Sequence, residues 1–110
     1  MFTTETVDNV LIAIPPRELT ASSSENAKAS LLGLIDAANK EIVVDLSELV
    51  FIDSSGLGTL IAAKKTANEH GGDVRLCGLS PQVWTIFELT RLDKVFKIFS
   101  NRDEAVESFL

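Results

Sequence analysis

A single cysteine, Cys77, excludes an internal disulfide. In the strand-like run Val74-Arg75-Leu76-Cys77 it reads as a small core hydrophobe with an inert thiol. A single histidine, His70, leaves no second imidazole, and no group of Cys, His, Asp or Glu has metal-ligand spacing, so neither metal nor cofactor is expected. Ten Lys and Arg against sixteen Asp and Glu give a formal net charge of -6. That balance lacks the clustered basic footprint of a nucleic-acid binder and disfavours anionic lipid. No apolar run approaches the ~20 residues of a membrane helix. Met1 to Glu5 have neither the basic nor the apolar region of a signal peptide. A cytoplasmic protein without direct membrane insertion is the expectation. With three prolines, 45% hydrophobic and 24% charged residues, the composition is neither low-complexity nor disordered. A chain of 110 residues is expected to form one domain, 1–110, and to bury roughly 65% of its unfolded surface without staples.

Residues 2–6 and 10–14 read as two strands, with Asp8-Asn9 between them as a tight turn tolerant of left-handed backbone. Pro15-Pro16 ends that pairing, because neither nitrogen can donate to a ladder. Arg17 to Ser24 reads as a polar loop. Ser22 and Glu25 have capping-box spacing ahead of Ala27, Leu31, Leu34, Ile35 and Ala38, which repeat as one helix face.

Ile42, Val43, Val44 and Leu46, followed by Phe51 and Ile52, are too short and too β-branched a run for a helix and predict a buried strand with its exit. A helix follows from about Ser54 or Ser55 to about His70, closed by Gly71-Gly72. Residues 74–78 form a strand. Ser80 caps and Pro81 opens a helix to about Asp93, with Val83, Ile86 and Phe87 inward. Residues 95–99 are strand, and Ser100 with Asp103 opens a last helix carrying Val106 and Phe109. The order predicts an α/β fold. An antiparallel N-terminal hairpin is followed by parallel β-α-β-α-β in one small mixed sheet, with about four helices packed on it.

The most informative stretch is Asp53-Ser54-Ser55-Gly56-Leu57-Gly58, at the strand-to-helix junction. By residue type alone it is a helix N-terminus, with Asp53 and Ser54 holding the turn. At about 100° per residue, Leu57, Leu60, Ile61, Ala63 and Ala67 face the sheet, while Ser55, Gly58, Thr59 and Ala62 form a small, neutral outer face. An exposed helix face normally carries charge, so this one is expected to receive a partner.

Catalysis is not expected. His70 lies fifteen residues beyond Ser55 on the same helix, or ~22 Å at ~1.5 Å per residue, too far for proton transfer. Gly56 and Gly58 are not followed by the Gly-Lys-Ser/Thr of a phosphate-cradling loop. Modification needs no base. A phosphoryl group on a serine at the helix N-terminus meets the dipole and free N–H donors. It also adds about -1.5 to -2 of charge at the mouth of the neutral face.

The D-S-S-G-L signature after an apolar strand, the helix, Gly71-Gly72, and the Ser80-Pro81 helix together resemble the bacterial anti-sigma factor antagonists, single-domain members of the STAS family. The resemblance runs from Val10 to Phe99 at least. It implies an antagonist whose unphosphorylated form binds an anti-sigma factor serine/threonine kinase and releases a sigma factor. It places phosphorylation on the second serine, Ser55, with Ser54 as the alternative, and implies a PP2C-type phosphatase as the resetting enzyme. Asp53, Ser54 and Gly56 are then the motif and cap. Leu57, Gly58, Thr59, Ala62 and Ser22 are the expected partner-binding residues. Family members commonly carry G-x-L-D where this chain has Arg17-Glu18-Leu19-Thr20, a loop expected near the serine. The alternative from the same fold is a STAS subunit of an ABC-type lipid or solute transporter, docked constitutively on its ATPase.

Overall fold

The computed structural model describes residues 2–22 and 24–110, the side chains of Ser24 and Glu25 excepted. Strands β1 (Thr3–Val7) and β2 (Val10–Ile14) form the expected hairpin, with Val7 opposite Val10. Asp8 and Asn9 supply its two-residue loop at φ 52° and 68°, the left-handed angles that match the twist of paired strands. After it come β3 (Glu18–Leu19), α1 (Ser24–Gly33), β4 (Glu41–Asp45), β5 (Phe51–Ile52), α2 (Ser54–Glu69), β6 (Asp73–Cys77), α3 (Pro81–Leu89), β7 (Ile98–Phe99) and α4 (Arg102–Glu107).

The main sheet has the order β1-β2-β4-β6-β7, antiparallel only at the hairpin and parallel elsewhere. Period-two alternation sends its side chains to two cores. Leu11, Ala13, Ile42, Val44, Val74 and Leu76 meet the buried faces of α1, α2 and α3. Val10, Ile12, Val43 and Cys77 meet Ala105 and Val106 of α4 on the other side. Burial, with the Asp45 carboxylate beside it, pushes the Cys77 thiol up to about 12, as its inert role requires.

Several boundaries differ from expectation. Arg17 to Ser24 is not only loop, because Glu18 and Leu19 pair in parallel with Phe51 and Ile52 as a separate two-stranded sheet. Phe51 is half exposed rather than a continuation of the buried strand. Helix α1 ends at Gly33, and Ala38 is exposed in a turn where the Asp36 carboxylate accepts the Ala38 and Asn39 N–H groups. The Ser22–Glu25 capping box falls on the Glu25 side chain and lies outside the described residues. Helix α3 stops at Leu89, four residues early, because Arg91 turns left-handed at φ 63°. The last helix is capped by Asn101, not Ser100: its Oδ1 accepts the Glu104 N–H at 2.9 Å. The Gly71-Gly72 stop is as expected, with Gly72 N–H reaching the Ala67 carbonyl and Gly71 N–H that of Asn68.

Two carboxylates pin the layers. Burial alone would raise the pKa of Asp73, but hydrogen bonds from Lys64 of α2 and Arg75 outweigh it and hold the group below the usual range. Asp45 is also lowered against its burial, by the Ser47 N–H and by Arg102 of α4 at 2.9 Å. Groups with depressed folded pKa contribute stability that is present above the unfolded value and lost as pH falls through the folded one. Urea unfolding should therefore give constant stability from pH 7 down to about 4–5 and a steep fall below. Asp73→Ala should cost about 1–3 kcal/mol at pH 7, since Lys64 and Arg75 lose their partner, and should flatten the acid limb.

Candidate functional site

The junction between β5 and α2 is built on one carboxylate. Asp53 is extended at φ -109° and ψ -173°, outside the helix, while its carbonyl already accepts the Leu57 N–H at 3.0 Å. Its Oδ1 accepts the N–H groups of Ser55 at 3.0 Å and Gly56 at 3.1 Å, two of the donors a first helical turn leaves unpaired. Its Oδ2 accepts the Ala21 N–H at 2.9 Å. Hydrogen bonds from Ala21 and Gly56, then Ser55, hold the carboxyl below the usual range, so it is ionised at neutral pH.

Gly56 is the second device. A Cβ there would stand 2.3 Å from the Leu19 carbonyl oxygen and 2.7 Å from Ile52 Cγ1, well inside contact distance. The missing side chain lets β3 and β5 press on the first turn of α2. Asp53 N–H donates to that same Leu19 carbonyl at 3.1 Å, and Val50 N–H donates to Arg17 at 2.8 Å. The loop expected near the serines is therefore joined to them by backbone bonds. Ser22, exposed with its hydroxyl 2.9 Å from that of Thr20, follows directly on Ala21.

Ser54 is exposed and Ser55 half-buried. Among the described residues, neither hydroxyl is engaged, so the turn is held by the Asp53 carboxylate and not, as expected, by Asp53 together with Ser54. The expected outer face of α2 needs correction. Thr59 is only 1% exposed, its hydroxyl turned inward to donate to the Ser55 carbonyl at 3.2 Å, and Leu57 is also buried. Ala62 is half-buried, whereas Ile61, placed on the sheet side, is 43% exposed. Helix α1 packs against α2, and the Thr59 hydroxyl is satisfied within α2 itself. The free ridge is instead Ser54, Gly58, Ile61 and Lys65, at i, i+4, i+7 and i+11. Val50 and Phe51, 49% and 50% exposed, lie just ahead of Asp53 in the chain. Sequence reasoning missed these two and Ile61. The usable signal was a bulky apolar pair, Val50-Phe51, placed outside any alternating pattern.

The two glycines of α2 separate packing from helix propensity. Gly56→Ala should lower stability by about 1–3 kcal/mol, through overpacking against backbone. Among the described residues, nothing lies within 4 Å of a Cβ at Gly58. Gly58→Ala should therefore raise stability by about 0.5–1 kcal/mol, and urea denaturation of both variants reads the contrast directly.

Known proteins resemble this chain over nearly its full length. An anti-sigma F factor antagonist of Paenibacillus polymyxa is 32% identical over 98 residues, 88% of this chain and 84% of the relative. A candidate anti-sigma factor antagonist of Bordetella bronchiseptica is 28% identical over 107 residues, 97% of this chain and 92% of that one. The crystal structure of a candidate anti-sigma factor antagonist from Thermotoga maritima superposes with a TM-score of 0.91 at 29% identity, over 97% of this chain and 92% of the other. Residues 1–105 match the STAS domain. With that match and the observed strand order, the chain belongs to the STAS domain family.

Proposed function

We propose that this protein is an anti-sigma factor antagonist whose unmodified form binds an anti-sigma factor that is also a serine/threonine kinase. Phosphorylation of Ser55 ends that binding, and a PP2C-type phosphatase restores it. The observation that carries the reading is the pair of serine hydroxyls, unengaged among the described residues, on an Asp53-capped helix start, beside an exposed ridge that carries Ile61. The relatives named as anti-sigma factor antagonists support it.

The cap decides how the phosphoryl group acts. The N–H groups of Ser55 and Gly56 are already taken by the ionised Asp53. A phosphate on Ser55 therefore finds these donors occupied and a like charge next to it, and it is held toward solvent. This differs from the expectation that free N–H groups would receive it. A partner covering Ser54, Gly58, Ile61 and Phe51 would have to bury that charge, which costs several kcal/mol without a cation to meet it. Each ~1.4 kcal/mol is tenfold in affinity, so one modification suffices as a switch.

Wild type, Ser55→Ala and Ser55→Asp used as baits, with mass spectrometry of what each retains, test this reading. A small ATP-binding serine kinase should be held by the first two and weakened roughly 100-fold or more by Asp. That kinase should transfer phosphate to wild type and not to Ser55→Ala. Equal retention of transporter ATPase subunits by all three baits would overturn the proposal in favour of a constitutive STAS subunit. Within the same assay, Ile61→Glu should weaken kinase binding about tenfold with an unchanged melting temperature, because Ile61 packs little within the chain.

A further inference from the structure

The strand order leaves β1 as an edge, and all five of its residues are exposed. Which backbone groups face outward follows from the hairpin. With a two-residue loop of left-handed residues, Val7 and Val10 exchange both of their hydrogen bonds. Thr3, Glu5 and Val7 therefore bond to β2, and the N–H and C=O groups of Phe2, Thr4 and Thr6 point away from the sheet.

Edges of this kind are usually guarded by proline, lysine, a bulge, a very short strand or an inward charge. From Phe2 to Val7 there is no proline or lysine, and from Thr3 to Val7 the pairing register is continuous, without a bulge. The one charge, Glu5, is drawn onto Arg102 at 3.0 Å. The opposite edge, β7, is guarded: it has two residues and runs almost at once into α4.

We propose that β1 is a self-association edge, on which a second copy of this chain adds its own β1, antiparallel and centred on Thr4. Of the registers that bring outward-facing backbone groups together, the one centred on Thr4 brings all three of Phe2, Thr4 and Thr6 into pairs, and its neighbours bring fewer. Centring on Glu5 sets two carboxylates opposite each other, which is unfavourable. Centring on Thr4 sets Thr4 against Thr4, Phe2 against Thr6, and Glu5 against Thr3. These are a hydroxyl pair, an aromatic–β-branched pair and a neutral contact, the kinds that favour cross-strand pairing. The product is a two-fold dimer with one continuous sheet and about six new backbone hydrogen bonds. Strand pairing alone falls below the ~1,200 Å² of a stable interface, so the dimer is in exchange with monomer. The net charge of -6 on each copy opposes association, and added salt strengthens it by screening.

Sedimentation equilibrium over a concentration series, at low and at physiological salt, reads the association. The mass should rise from 11.9 kDa toward twice that value, more steeply at the higher salt. Thr4→Pro removes an N–H that faces outward, leaving the β1–β2 ladder intact, and should stay monomeric with unchanged circular dichroism. Under mild oxidation Thr4→Cys should form a disulfide dimer, since facing residues of a hydrogen-bonded pair lie about 5.5 Å apart. In the same register two copies of residue 6 are roughly 14 Å apart, so Thr6→Cys should cross-link at least tenfold more slowly. Buried Cys77 does not compete. A monomer at every concentration, a dimer that survives Thr4→Pro, or equal cross-linking of the two cysteine variants would each overturn the proposal.

Discussion

Everything around the serine pair depends on the Asp53 carboxylate. One oxygen closes the first turn of α2, and the other holds Ala21, thirty-two residues earlier in the chain. Three backbone amides from two distant segments thus converge on one negative charge. Gly56 makes this possible, because only a residue without Cβ lets the Leu19 carbonyl approach the helix start while it accepts the Asp53 N–H. A cap that would otherwise be local becomes the joint between the helix and the β3–β5 sheet. The Ser54 and Ser55 hydroxyls are presented on this joint, and among the described residues neither is engaged in it.

The outer face of α2 is shaped by packing within the chain. Small residues on a helix can serve an external partner or an internal one. Here Thr59 is buried and Ala62 half-buried, and the Thr59 hydroxyl is satisfied within its own helix by the Ser55 carbonyl. The surface left exposed on α2 is a different set from that small neutral stripe. It is the ridge of Ser54, Gly58, Ile61 and Lys65, with Val50 and Phe51 close by in the chain. Gly58, with open space where its side chain would be, keeps the ridge low at its centre.

Where the sequence carried a strong local rule, the fold was legible. Asp8-Asn9 set the hairpin, Asp53 the start of α2, Gly71-Gly72 its end, and Ser80-Pro81 the start of α3. The parallel order followed from strand and helix alternation. What was not legible rests on tertiary contact. Two-residue strands such as Glu18–Leu19 and Phe51–Ile52 are too short to show a period, so their pairing and the full burial of Leu19 had no local signature. The exposure of Ile61 and the burial of Thr59 depend on how α2 is rotated in the tertiary packing, which residue spacing on α2 alone does not contain. Arg91 occupies a left-handed position that glycine usually fills, so the end of α3 was invisible to residue type. In the candidate site, Asp53 and Gly56 were readable as cap and motif, but the Ala21 and Leu19 contacts that give them their significance were not.

The claim that one ionised carboxylate ties these segments together is tested most directly by following the amide proton shifts of Ala21, Ser55 and Gly56 against pH. Because all three N–H groups donate to Asp53, they should move together in one titration step with a midpoint below the ordinary aspartate value. An Ala21 amide that does not follow the other two, or a common step at the unperturbed value, would contradict it.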